Sequence, residues 1–361
     1  MTSEEFPLTP LLDGAAGTVR PESDELRACM EVAADSSAPL EDRLSAYDDL
    51  IAAEVGDTPL TRSRNLEREN GFRQLYLKFE GANPTGTHKD RIAFAQVYDA
   101  LRRGFDTVTV ATCGNFGTAL SFAASLAGIR CVICIPGTYR TRRLEEMASY
   151  NAEIRRTEGD YEAAVVISQE VAEREEFYDA NPGGANTPLQ LLAYAEIANE
   201  IYDDLRDAPA AVAVPVSNGT CLAGIHRGFA TLYRRGRTSR MPKLLAGSSH
   251  GKNPIVQSYL KGLNHCQDLD PASVRETPVN EPLINWHSYD GELALRAVQE
   301  TDGWAGDASD REMLRQAKAL REKEGLSVLP ASTVGLSVLL GRHRTDPLPG
   351  DRYVVVLTGR R

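Results

Sequence analysis

Apolar and polar positions alternate over Leu75-Tyr76-Leu77-Lys78-Phe79-Glu80, the two-residue period of a strand. Past a turn at Asn83-Pro84-Thr85-Gly86, the residues Ile92, Ala93, Val97 and Tyr98 recur at helical spacing. The same exchange of periods repeats down the chain. Short apolar runs predict strands over residues 107–112, 129–135, 152–157, 211–216, 243–247 and 353–357. Helical spacing predicts helices over 39–55, 118–127, 143–151, 161–173, 189–205, 223–234, 310–324 and 333–340. Gly56, Gly128 and Pro136-Gly137 stop the elements before them. Residues 262–310, rich in Asn and Asp, show no clear period, and the stretch up to about Ser36 reads as an arm. Strand–helix alternation of this kind implies an α/β fold built on a mostly parallel sheet.

Composition narrows the class. A chain of 361 residues can hold two domains, or one with an inserted subdomain. Its 42% hydrophobic and 25% charged residues suit a globular protein. A net charge of −11 with no compensating basic tract argues against nucleic acid as a partner. The start of the chain, with Glu4 and Glu5, lacks the apolar run of a signal peptide, and no segment approaches the roughly 20 apolar residues of a membrane span. A cytoplasmic location is therefore expected, with no membrane partner. The 6 cysteines suggest neither a metal site nor a disulfide set. Cys131 and Cys134 have CxxC spacing, but on a strand they point to opposite faces and read as two buried thiols.

Four segments carry candidate chemistry. The turn Asn83-Pro84-Thr85-Gly86-Thr87-His88-Lys89-Asp90-Arg91 places one lysine at the start of a helix. Helix N-termini bind anionic ligands and disfavour a cation, which favours the neutral amine that attacks an aldehyde. Ala111-Thr112-Cys113-Gly114-Asn115-Phe116-Gly117 joins a strand to a helix and can offer backbone N–H groups to a carboxylate. A plain βα turn with capping explains that segment equally well. Ser217-Asn218-Gly219-Thr220-Cys221 also leaves a strand and enters a helix, where amides and hydroxyls can cradle a phosphate. It is neither a Walker A loop nor a dinucleotide fingerprint. Thr358-Gly359 closes the last strand, where a hydroxyl is a turn residue or a partner for a neutral ring nitrogen.

In order and spacing these segments resemble the pyridoxal-phosphate enzymes of fold type II, the tryptophan synthase β-subunit-like group, and within it the threonine synthases. Asn83–Gly86 before Lys89-Asp90-Arg91 is similar to the family's lysine motif, and the likeness runs from about Thr58 to Thr358. The resemblance implies a large open sheet with helices on both faces, at 58–91 and 179–361, after an N-terminal arm and helix at 1–57. A smaller mobile α/β domain would lie at 92–178. It also implies pyridoxal 5'-phosphate as cofactor, an amino-acid substrate and a homodimer. Lys89 would bear the cofactor as a Schiff base and act as the catalytic base. Asn115 would bond the ring oxygen, Ser217, Asn218, Gly219, Thr220 and Cys221 the phosphate, and Thr358 the ring nitrogen. His88, Thr112, Cys113, Gly114, Asn115, Phe116 and Thr187 would line the substrate site.

Several positions depart from the family pattern. His88 stands where Phe is usual, Leu329-Pro330 replaces Glu-Pro, and Gly183-Gly184-Ala185-Asn186-Thr187-Pro188 lacks the charged residues common in threonine synthases. The expected activity is β- or γ-elimination or replacement on an amino acid with a leaving group such as phosphate. A cysteine-synthase-like β-replacement on a serine derivative, serine or threonine dehydration, and a cofactor-binding homologue without turnover are the alternatives.

Overall fold

The computed structural model describes residues 24–112, 114–137, 143–348 and 350–361. Its strands, in chain order, are β1 (Leu60–Arg62), β2 (Leu75–Phe79), β3 (Thr107–Ala111), β4 (Arg130–Pro136), β5 (Glu153–Thr157), β6 (Tyr178–Asp179), β7 (Ala211–Pro215), β8 (Lys243–Ser249), β9 (Trp304–Ala308) and β10 (Tyr353–Leu357). The chain packs as two compact units. One holds the described residues up to Gly56 together with Asn83–Asn186, the other Asp57–Ala82 together with Thr187–Arg361.

The second unit is built on a six-stranded sheet in the order β1-β2-β10-β7-β8-β9. Only β1 runs antiparallel to its neighbour. Leu75, Leu77, Ala211, Ala213, Tyr353, Val355 and Leu357 pack on one face against Leu320, Leu336 and Leu339 from the helices Asp310–Glu324 and Val334–Thr345. Val212, Val214, Val354 and Val356, pointing the other way, are fully buried as well. Burial on both faces is why these strands read as unbroken apolar runs. On the other face of β2 Tyr76 is half-buried and a charged residue is buried. Lys78 is fully buried, with Nζ 2.5 Å from Glu200 Oε2 and donating to the Thr58 carbonyl.

The first unit holds a four-stranded parallel sheet, β5-β4-β3-β6. Helices Leu40–Glu54, Lys89–Arg102 and Asn115–Leu126 bring Tyr47, Phe94 and Phe122 together, with ring centroids 5.8 and 5.9 Å apart. The expected arm is in part a helix, Asp24–Ala34, with Met30 and Ala33 buried; residues 1–23 lie outside the described residues. This helix and the next belong to the unit rather than standing apart from it. Arg43 donates to the carbonyls of Ala33 and Ala127, and a Cβ on Gly128 would come within 2.2 Å of the Ala34 carbonyl oxygen. Lys89 packs in this unit also, because its helix lies against Asn115–Leu126 and Leu40–Glu54. The unit boundaries thus differ from the expected 92 and 178.

Cys131 and Cys134 are buried on β4 and free, as their spacing predicts, and burial pushes the Cys131 thiol up to about 12. The stretch without a clear period contains the turns Pro271–Ser273 and Glu281–Leu283, the helix Gly291–Glu300 and strand β9. Its short helix and strand leave too few turns or alternations for a period to register. Among the described residues no helix is long and apolar enough to cross a membrane.

Candidate active site

Lys89 is the first residue of the helix Lys89–Arg102, and the turn before it is tied together by its own side chains. Asp90, fully buried, accepts from the Thr85 amide at 3.0 Å and from the Thr85 hydroxyl at 2.7 Å. The Lys89 amide donates to Thr87 Oγ1 at 3.2 Å, and Arg143 holds the Thr85 carbonyl. Burial pushes the Asp90 carboxyl up to about 7, against the opposing pull of the Thr85 and Thr87 hydrogen bonds and of the Arg143 charge. His88 occupies the N-cap position and makes no side-chain cap.

The turn after β3 reaches the same lysine. The Phe116 ring centroid lies 5.6 Å from Lys89 Nζ, and Phe116 is buried. Thr112 Oγ1 accepts from the amides of Gly114 and Gly117, at 3.2 and 3.3 Å, so its oxygen shapes the turn. Gly117 has no room for a side chain, since a Cβ would sit 2.6 Å from the Thr112 methyl carbon. Asn115, half-buried, opens the helix Asn115–Leu126, and its amide makes no hydrogen bond among the described residues. Cys113 lies outside the described residues.

In the other unit, β7 runs into the helix Thr220–Arg234 through Val216–Gly219. Gly219 has φ +94°, the left-handed region, and a Cβ there would meet Ala294 Cβ at 2.7 Å and the Asp290 carbonyl oxygen at 2.9 Å. No side chain caps this helix. The amides of Gly219 and Thr220 and the hydroxyl of Ser217 have no hydrogen-bond partner among the described residues. The Thr220 hydroxyl is different, because it donates to Asp290 Oδ2 at 2.5 Å. Its one proton is spent there, so of Thr220 only the amide remains as a donor toward an anion. Asp290 Oδ1 accepts from the Thr187 hydroxyl at 3.2 Å, which ties two predicted site residues to one carboxylate.

At the end of β10 the Thr358 hydroxyl lies 3.2 Å from the Ser332 hydroxyl, whose single proton also has the Gly359 carbonyl within reach at 3.2 Å. Sequence reasoning missed Ser332, although it lies just past Leu329-Pro330, and it missed Asp290. A buried carboxylate inside an Asn- and Asp-rich loop leaves no signal in hydrophobic periodicity.

Comparison with known proteins identifies the family of the chain. A family model described as "Pyridoxal-phosphate dependent enzyme" matches residues 51–359. Threonine synthase from Methanocaldococcus jannaschii is 32% identical over 309 residues, covering 84% of this chain and 74% of its own. The structure of a pyridoxal 5'-phosphate-dependent aspartate racemase superposes with a TM-score of 0.73 at 20% identity, covering 88% of this chain and 94% of that one. The processed form of threonine deaminase isoform 2 from Solanum lycopersicum gives 0.71 at 18% identity, covering 91% and 90%. These two show the fold, which is that of fold type II. The chain therefore belongs to the pyridoxal-phosphate-dependent enzyme family, as a threonine synthase-like lyase that uses pyridoxal 5'-phosphate.

Proposed function

We propose that this enzyme carries out β- or γ-elimination or replacement on an amino acid bearing a leaving group such as phosphate, with Lys89 as the residue that bears the cofactor. The protein groups available fit such a cofactor. Ser217, with the amides of Gly219 and Thr220, offers donors for a phosphate at an uncapped helix start, and Asn115 offers an amide beside the lysine turn. Once bound, the cofactor supplies a sink for the charge left at the substrate's α-carbon. Lys89 Nζ, as the neutral amine, takes the α-proton and returns it. The Phe116 ring beside Nζ presents an apolar surface there, and with the Gly114 and Gly117 amides given to Thr112, the amides of Asn115 and Phe116 are the ones this turn offers to the substrate carboxylate.

The observation that carries the reading is the pair Thr358 and Ser332 at the end of β10. A neutral hydroxyl, rather than a carboxylate, as partner of the ring nitrogen would leave the ring less electron-withdrawing. That favours elimination and replacement over transamination. The reading includes a homodimer acting in the cytoplasm.

In a threonine synthase the γ-phosphate leaves and water adds at Cβ. A second reading, β-replacement or dehydration of a serine or threonine derivative, is favoured by the stretch 183–188. It carries no charged side chain, Asn186 donates to the Asp179 carbonyl, and Thr187 bonds Asp290. Arg91 is buried and Arg142 lies outside the described residues. Each charge-assisted bond to a distal phosphate is worth roughly 1.5–3 kcal/mol, so losing two costs on the order of a hundredfold or more. Phosphohomoserine, phosphoserine, acetylserine and threonine, assayed for phosphate, ketoacid and amino-acid product, test both readings. A serine derivative should be turned over best. Efficient threonine formation from phosphohomoserine, with no better substrate, would restore the plain threonine synthase activity. Transamination alone would remove the proposal.

A further inference from the structure

We infer that Asn285, held by Asn253 and Ser288, is the positioning residue that aims the loop at 217–219 toward the cofactor phosphate. This rests on the reading of that loop as the phosphate site. The chain of reasoning is one of amide orientations, each setting the next. Asn253 Oδ1 caps the helix Pro254–Leu260 by accepting from the amides of Ile255 and Val256, at 3.1 and 3.3 Å. Its oxygen is thereby settled, and its Nδ2 must turn to acceptors. Those acceptors are the Ser217 carbonyl and Asn285 Oδ1, both at 3.0 Å, with the Leu283 carbonyl farther off at 3.4 Å. With Oδ1 of Asn285 occupied, its Nδ2 faces Asn218 Oδ1 at 2.9 Å. The oxygen of Asn218 is thereby held toward Asn285.

Backbone atoms follow the same division. The Ser217 carbonyl also accepts from the Ser288 hydroxyl at 3.1 Å, the Asn218 carbonyl from the Asp290 amide at 3.0 Å, and the Val216 carbonyl from the Ser248 hydroxyl at 2.8 Å. Three successive carbonyls are thus bound from behind. An anion meeting this loop encounters N–H groups rather than the carbonyl oxygens that would repel it. Asn253, Asn285 and Ser288 are all buried, at 0, 3 and 6% exposure, so water does not substitute for them. None of the three needs to touch the cofactor.

The test compares two ligands that differ only by the phosphate. Dissociation constants for pyridoxal 5'-phosphate and for pyridoxal are measured on the full chain stripped of cofactor. Asn285→Ala should weaken pyridoxal phosphate about tenfold, the size of one buried hydrogen bond, and leave pyridoxal within about twofold. Ser288→Ala, a milder change that spares the fold, should weaken it in the same selective way by about two- to fivefold. Equal losses for both ligands, or no loss in either variant, would overturn the role of Asn285. Gly219→Ala serves as the reference for the loop itself. If it lowers the preference for the phosphate ester while Asn285→Ala does not, the loop stands and the positioning role falls. If it too leaves the preference unchanged, the loop is not the phosphate site.

Discussion

The Lys89 turn and the loop at 217–221 each follow a strand and open a helix, yet they are held by different kinds of contact. The lysine turn is closed mainly from within. Asp90 reaches back five residues to Thr85, Thr87 accepts from Lys89, and the Gly86 amide donates to the Asn83 carbonyl. The loop at 217–221 is closed from without, by Asn253, Asn285, Ser288 and Asp290, which lie 36 to 71 residues away in the chain. A turn that carries its own ties keeps its shape wherever it is packed. A loop tied from elsewhere keeps its shape only while its scaffold is intact, and it can be tuned without touching a residue that meets the ligand.

The sharpest way to break this contrast is at Lys89 itself. Lys89→Ala should lower turnover by about 10²–10⁴ or more, the scale of losing a positioned base, while the turn held by Asp90 stays folded. Borohydride reduction followed by peptide mapping should place the cofactor on Lys89 in the parent and on no lysine in the variant. A labelled peptide carrying any other lysine would move the site, and the comparison would lose one of its two members.

This contrast also separates what the sequence makes legible from what it hides. Pro84, Gly86, Thr87 and Asp90 lie within a few residues of Lys89, so the turn can be read as a motif. The strands β7, β8 and β10 read clearly because burial on both faces demands apolar runs. The supports of the second loop are buried polar residues, and their value lies in partners 30 or more residues distant. No periodicity records such a pairing, which is why residues 253–290 carried no assigned role. The helix Asp24–Ala34 escaped for a related reason. Its buried Met30 and Ala33 give too short an apolar stripe to stand out from a polar, Pro- and Ser-containing leader.

A smaller effect should come from the tie inside the lysine turn. The Asp90 carboxyl titrates near 7 in the fold, raised by burial from 3.8. Between those values the folded protein holds a proton that the unfolded chain has released. The contribution of this group to stability is therefore complete below about pH 4 and is lost as pH rises through about 7. Asp90→Asn keeps the volume and cannot titrate, so denaturant unfolding measured from pH 4 to 8 should show a flatter pH slope than the parent. An unchanged slope would assign the titration to another group, and the turn would hold its shape without a pH-dependent tie.

The smallest change tests whether Thr187 belongs with the scaffold or with the substrate. Its hydroxyl donates to Asp290 Oδ1 at 3.2 Å, and Asp290 in turn holds Thr220 at the head of the helix that follows the loop at 217–219. Thr187→Val keeps the shape of the side chain and removes one hydrogen bond to a charged group, worth about 1.5–3 kcal/mol when buried and less where water can reach it. Thr187 is only half-buried, so the expected loss of unfolding free energy is about 1 kcal/mol. KM for the best amino-acid substrate should shift less than about twofold, since the hydroxyl proton is already given to Asp290. A tenfold rise in KM at unchanged stability would place this hydroxyl on the substrate instead. Asp290 would then be a ligand-side group that exchanges partners on binding, and the division between a scaffold and the loop it supports would fail at that point.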